Sequence, residues 1–173
     1  MSLRHGLLGL LAEGPASGYD LARRFEKQLG PIWPAKHPQI YGELNRLADK
    51  GWVVAEAEGP RRRKEYRITD TGRDELRGWL VEQPADQSVR LAPLLRSLFY
   101  WQLPPDELAD HLDREAARWR ETARQYRCAA DAADRGELGD GPQIRSMRVT
   151  VEAGARLFEA LAGWAEWAKQ AHS

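Results

Sequence analysis

The residues best able to do chemistry in this chain bind rather than react. Arg61, Arg62, Arg63 and Lys64 are four consecutive cations, and upstream of them Gln39, Asn45 and Arg46 stand at helical spacing beside the small Gly42. Arginine pairs bidentately with guanine and Gln or Asn with adenine, while clustered cations hold phosphate. Taken together, the two sets suit a double-stranded nucleic acid. Taken alone, a run of four cations is most often a solvated turn. Lys36 and His37 precede the Gln39 helix, whose positive dipole end also favours phosphate. Tyr41 stands at the edge of that helix's apolar stripe, so it reads either as a hydroxyl reaching a phosphate or as an amphipathic core residue. Ser17 and Tyr19 open a further helix and complete the candidate DNA-binding set.

Groups for covalent or metal chemistry are sparse. No GxSxG, GxGxxG, P-loop or HExxH motif is present, so an enzyme is not expected. The four histidines are scattered at 5, 37, 111 and 172. His111 and Glu115 lie four apart on a helix, which reads as a two-ligand pair or as a solvated face; no metal and no cofactor is expected. Cys128 is the only cysteine. An intrachain disulfide is therefore impossible, and a cysteine-based zinc site is not expected.

The elements that must position these groups follow from periodicity. In the stretch His37 to Ile68, Leu44 and Leu47 lie within about 40° of Ile40 at ~100° per residue, with Ala48 and Tyr41 flanking. The other face carries Gln39, Gly42, Asn45, Arg46 and Asp49. Pro38 suits the first turn, and Gly51 suits the left-handed position just past the end. Trp52-Val53-Val54 and Tyr66-Arg67-Ile68 are short and β-prone. Gly59-Pro60 and the four cations between them make a hairpin with a charged tip. Upstream, Leu3, Leu7, Leu10 and Leu11, with Leu8 beside them, predict a first helix over 3–12, which Gly14-Pro15 ends. Ser17 is the expected N-cap of a second helix over 18–28, with Asp20 in its acidic first turn and Tyr19, Leu21, Ala22, Phe25 and Leu29 on its apolar side. Helix, break, helix, break, helix, hairpin is the order of a winged helix-turn-helix. Thr69 to Thr71 caps a fourth helix to Val81 that turns Leu76, Trp79 and Leu80 inward.

The polar stretch Gln83 to Gln87 contains Pro84 and reads as a boundary between residues 1–83, a DNA-binding domain, and 88–173, a helical dimerisation and effector-sensing domain. Leu91 to Leu103 is strongly apolar. Pro104-Pro105 stops it, and a helix of ~45 Å follows to about Arg135. A Gly-rich turn over 136–142 leads to a last helix to about Ala171. The expected fold class is therefore mainly α with a small β-hairpin: an N-terminal winged helix-turn-helix plus a C-terminal antiparallel α-helical dimerisation domain. Two helices alone are not expected to bury both sides of Trp119, Phe158, Trp164 and Trp167. With Leu161 these form the expected homodimer surface, packing against the chain's own first domain being the alternative. The pattern is not a strict coiled coil, so it reads as a pairing surface rather than a zipper. Leu95, Phe99, Tyr100, Trp101, Trp119 and Tyr126 are candidates to line a site for a flat aromatic effector, with ordinary core packing as the alternative.

Charge agrees without deciding. Lys plus Arg number 26 and Asp plus Glu 26 in 173 residues. Residues 1–83 hold 14 cations against 12 acids, so any basic surface is local rather than global. No apolar run reaches the ~18 residues of a transmembrane helix. The opening run, Gly6 to Ala12, is too short for a signal peptide and has no cleavage site after it, so a cytoplasmic location is expected.

The chain resembles the PadR-like transcriptional regulators over nearly all its length. The residues that carry the resemblance are LLGLLAEGPASGYDLARRF from Leu7, QIYGELNRLADKGWV from Gln39, and RRKEYRITDTGRDELRGWL from Arg62. They supply, in order, the family's Gly-Tyr-Asp/Glu-Leu second helix, its Ile-Tyr-x-x-Leu-x-x-Leu recognition helix ending in Gly, and a wing ending in Tyr-x-Ile-Thr-x-x-Gly. The C-terminal helices look like the subgroup with a larger helical dimerisation domain. The resemblance implies a ligand-responsive homodimeric repressor that binds a pseudo-palindromic operator and is released by a small aromatic or amphipathic compound. It implies control of a neighbouring transporter or detoxification gene and of the regulator's own gene. The competing reading is a winged-helix protein–protein adaptor without specific DNA binding, against which the cationic tip and the polar helix face both weigh.

Overall fold

The structure is a computed structural model that describes residues 2–30, 32–58, 63–84 and 91–172. The chain divides into two compact units, Met1–Ser88 and Val89–Ser173.

The first unit is built around α1 (Ser2–Ala12), because leucine occupies more of it than one stripe. Leu7, Leu8, Leu10 and Leu11 are all buried, with Leu3 half-buried beside them. Around it pack α2 (Gly18–Gln28), α3 (His37–Asp49) and α4 (Asp70–Val81). Phe25, Ile40, Leu44, Leu47, Val53 and Ile68 close the core. Ser17 caps α2 by accepting from the Asp20 amide at 3.2 Å and donating to its carboxylate at 2.7 Å, as expected of an N-cap serine. Gly51, at φ +70°, ends α3. Its amide donates to the Ala48 carbonyl and that of Trp52 to the Leu47 carbonyl, a Schellman closure that needs a residue without Cβ strain.

The hairpin is longer than its apolar core suggests. Strands β2 (Val53–Glu58) and β3 (Arg63–Ile68) pair antiparallel from Val53↔Ile68 out to Glu58↔Arg63. A third strand, β1 (Ala16–Ser17), adds to the other edge of β3 with Ala16 opposite Tyr66, giving the order β1-β3-β2. Two residues are too few to show alternation, so this strand has no signature in the sequence. Two expected core residues lie outside the core: Tyr19 is 58% exposed and Leu80 67%. Tyr19 is in the first turn of α2, where its ring lies under the Arg23 guanidinium instead. On α4 it is Trp79 that turns inward, stacking on His5 at 4.6 Å between ring centres, and Leu80 follows on the other side of the helix.

The second unit consists of α5 (Ala92–Ser97), a 3₁₀ turn at Tyr100–Gln102, and two 30-residue helices, α6 (Pro105–Asp134) and α7 (Pro142–Ala171). Buried alanines let α6 and α7 pack closely: Ala116, Ala123 and Ala130 on one, Ala155, Ala162 and Ala165 on the other. Leu108, Leu112, Trp119 and Tyr100 fill the wider part. Arg127 clamps the pair by donating to both Glu152 and Glu159 of α7 at 2.8 Å, and Lys169 reaches Asp113 at 2.6 Å. Among the described residues, no helix is long and apolar enough to cross a membrane.

Candidate nucleic-acid interface

Helix α3 turns Ile40, Leu44 and Leu47 into the core and leaves Gln39, Gly42, Asn45, Arg46 and Asp49 exposed. These five recur every three or four residues, so they form one outward stripe on a 13-residue helix. A Cβ added at Gly42 would meet nothing within 4 Å. The face is flat there and admits close approach by another surface. Two of its polar groups are already held. The Gln39 side-chain oxygen accepts from the Lys36 amide at 2.8 Å, closing the first turn. The Arg46 guanidinium donates to Glu43 at 3.0 Å. Lys36 and His37 are exposed at the same helix end.

Tyr41 flanks the stripe and is 40% exposed. Its ring lies against Gly18, where an added Cβ would come within 2.7 Å of a ring carbon. Ser17, Gly18, Tyr19, Tyr41, Lys64 and Tyr66 line one open cleft of about 440 Å³. The strand register assembles it: β1 is paired with β3, so Ser17 and the start of α2 are set beside Tyr66, while Lys64 lies two residues back along the strand and so on the same side. Burial first, and then the neighbouring Tyr41, push the Tyr66 phenol above its ordinary value, so it stays a neutral donor and acceptor. Of the wing cations, Lys64 is exposed and Arg63 opens β3, whereas Arg61 and Arg62 lie outside the described residues. Arg67 pairs with Glu56 across the hairpin at 3.5 Å.

The structure thus brings Ser17, Tyr19, Tyr41 and Lys64 together in the cleft, with Gln39, Asn45 and Arg46 on the adjoining stripe. Sequence reasoning missed Gly18, Tyr66 and Glu43. Tyr66 has a signal, since it shares the two-residue period with Lys64. Glu43 has one as well, lying about 60° from Ile40 at ~100° per residue and so beside the buried stripe.

Among the described residues, the expected effector residues stand in different surroundings. Leu95, Phe99 and Trp101 are exposed, Trp101 to 74%. Tyr100 is buried between edge contacts to His111 and His172, and burial is the main cause raising its phenol's pKa. Tyr126 stacks on Phe158 at 5.6 Å. The expected pairing residues also divide. Trp119 is only 9% exposed, with Trp164 and the α7 alanines packed against it within the chain. Phe158, Leu161 and Trp164 are half-buried, and Trp167 is 63% exposed. His111 contacts the Tyr100 ring and Glu115 pairs with Arg118 at 2.8 Å.

Residues 7–78 match the model of the Transcriptional regulator PadR-like family. The chain is 38% identical over 112 residues to the negative transcriptional regulator PadR of Bacillus subtilis, an alignment that spans 62% of this chain and 62% of that relative, less than two thirds of its length. It is also similar to the crystal structure of B. subtilis PadR in complex with operator DNA, at TM-score 0.85, 25% identity and 100% of both chains. Against the same protein in complex with p-coumaric acid the TM-score is 0.82, at 26% identity and 99% of each chain.

Proposed function

We infer the function from one premise: this chain is a PadR-like transcriptional regulator. It binds operator DNA as a homodimer and represses transcription, and a small aromatic or amphipathic compound releases it. The observation that carries the reading is the outward stripe of α3, polar and flat at Gly42, flanked on one side by the Tyr41–Tyr66–Lys64 cleft. An α-helix fits the major groove, ~12 Å wide, and groups on either side of it meet the phosphate backbones.

In this mechanism α3 enters the groove. Asn45, Arg46 and Gln39 meet base edges or the nearest phosphates, and Gln39 exchanges its bond to the Lys36 amide for one to DNA. The hydroxyls of Ser17 and Tyr41, the Tyr19 ring edge, Lys36, His37 and Lys64 hold the backbone. Arg61, Arg62 and Arg63 reach phosphate or the minor groove from the wing. Two such domains read half-sites one helical turn apart, ~34–36 Å. Pairing through the second unit is supported by the apolar side chains exposed there, Leu94, Leu95, Leu98, Phe99 and Trp101 before α6 and Leu157 and Trp167 on α7. The p-coumaric acid complex of the B. subtilis protein supports a small aromatic acid as the effector class. The effector acts by binding one dimer geometry better than the other, so that the second half-site is lost.

The test is a gel shift on DNA upstream of the protein's own gene, titrated with salt and then with p-coumaric acid and related aromatic compounds. Tight, salt-sensitive binding to a short inverted repeat with two chains per site, relieved by one of those compounds, is the expected result. A folded protein that binds no DNA at low salt would sink the reading in favour of a protein–protein adaptor.

A further inference from the structure

We propose that Glu43 is a positioning residue for base recognition, holding the Arg46 guanidinium at the outer face of α3 and tying it to Arg4 of α1. The inference rests on the reading of α3 as the recognition helix and adds to it the group that sets Arg46's direction.

Glu43 is a charged residue on the buried side of a helix. It is 6% exposed, next to Ile40, Leu44 and Leu47. One carboxylate oxygen accepts from Arg46 at 3.0 Å; the other lies 3.4 Å from the Nε of Arg4. A buried carboxylate is costly unless paired, and a leucine here would pack without that cost. Cohesion between α1 and α3 therefore does not require the charge. What the charge does is directional. Arg46 is one turn further on and 71% exposed, a long side chain that would otherwise sample many rotamers. With Glu43 holding one N–H, the other donors of the planar guanidinium remain free for the two acceptors on a guanine edge. The side chain is partly ordered before DNA arrives, so less freedom is lost on docking. Arg4, only 28% exposed, fixes Glu43 from the far side, so the carboxylate cannot turn to follow Arg46 into solvent.

The experiment is gel-shift competition with the operator, random DNA, and operators each altered at one base pair. The proteins are wild type, Arg46→Ala, Glu43→Gln and the double variant. Arg46→Ala flattens discrimination at one base pair by about 5- to 150-fold. Glu43→Gln flattens the same base pair by about 3-fold or more while leaving affinity for random DNA equal or higher. It adds nothing in the Arg46→Ala background, as expected for two groups acting as one. If the Gln amide prevents folding, Glu43→Ala removes the group and lets both arginines reach water, and the same comparison is made. A uniform loss on all DNAs, or a full additional loss in the double variant, would assign Glu43 a purely structural role and overturn the inference. A wild type that shows no preference for any operator overturns the DNA reading itself and this inference with it.

Discussion

The ring of Tyr126 lies directly on the backbone of α7 at Gly154, where an added Cβ would stand 2.5 Å from a ring carbon. No side chain but hydrogen fits between them. Tyr126 is also stacked on Phe158, one turn further along α7, so the ring has little room to retreat. This contact sets how closely the two long helices approach.

Two opposed effects of Gly154→Ala follow. Removing a glycine from a helix interior stabilises it by ~1 kcal/mol. Forcing a methyl into the Tyr126 ring costs ~1–3 kcal/mol. The expected net is destabilisation in the wild-type background. In a Tyr126→Ala background the clash is gone, and the same substitution is expected to stabilise by up to ~1 kcal/mol. Thermal unfolding of the four proteins checks this. No change of sign between the two backgrounds would show that the ring is not the obstacle.

Thr69 and Gly72 form a joint between α3 and α4. The Thr69 hydroxyl donates to the Gly51 carbonyl at 2.8 Å and accepts from the Gly72 amide at 3.1 Å. An added Cβ at Gly72 would be 2.1 Å from the Trp52 carbonyl oxygen, a backbone atom that cannot swing away. Thr69→Ala is expected to lower stability by ~1–2 kcal/mol through loss of the cap, with Thr69→Ser restoring most of it. Gly72→Ala should reach the upper end of ~1–3 kcal/mol or exceed it. Denaturant midpoints measure both. A Gly72→Ala protein as stable as wild type would mean that α4 can shift away from the hairpin.

That joint explains why part of the fold was legible. The Thr-x-x-Gly motif, the cap at Ser17 and the closure at Gly51 are local devices whose geometry depends on neighbours in the chain, and each stands where its residue type requires. The Ile40–Leu44–Leu47 stripe is similarly local. What could not be read depends on distant pairing. Strand β1 exists only because Ala16 meets Tyr66, and the cleft around Tyr41 exists only because that pairing brings Ser17 to Lys64. Tyr19 and Leu80 were misplaced because a helical wheel reports apolar character but not where the neighbouring elements end. The burial of Trp119 depends on distant pairing in the same way, since the small alanines of α7 are what let that helix approach closely enough to cover the indole.

The wing and the recognition helix should separate in their salt dependence. Arg62→Ala with Arg63→Ala is expected to weaken binding to operator and random DNA alike, reducing the slope of log K against log salt by about two units at most. Arg46→Ala is expected instead to cost ~1–3 kcal/mol on the operator and little on random DNA. Titrations at several salt concentrations give both numbers. Equal losses on the two DNAs for Arg46→Ala would remove it from base reading.

Acid should loosen the second unit through Glu152. Its carboxylate accepts from Arg156, Arg127 and Arg148, and those bonds, that of Arg156 foremost, hold its pKa down at about 2. Hydrogen bonds from Arg127 lower Glu159, and one from Arg148 lowers Asp134. A carboxylate depressed in the folded state stabilises it fully above the ordinary carboxylate range, and that contribution disappears as pH falls towards the folded value. The second unit is therefore expected to lose stability progressively between about pH 5 and pH 2, with little change from pH 6 to 8. Glu152→Gln should lower stability at neutral pH and flatten the acid limb, because the variant has no proton to take up at that position. The ion pairs are solvent-facing, so added salt should weaken the effect as well. Unfolding followed by the tryptophans of α6 and α7 from pH 7 to pH 2 tests this. An acid limb of the same steepness in Glu152→Gln would place the acid sensitivity in other carboxylates.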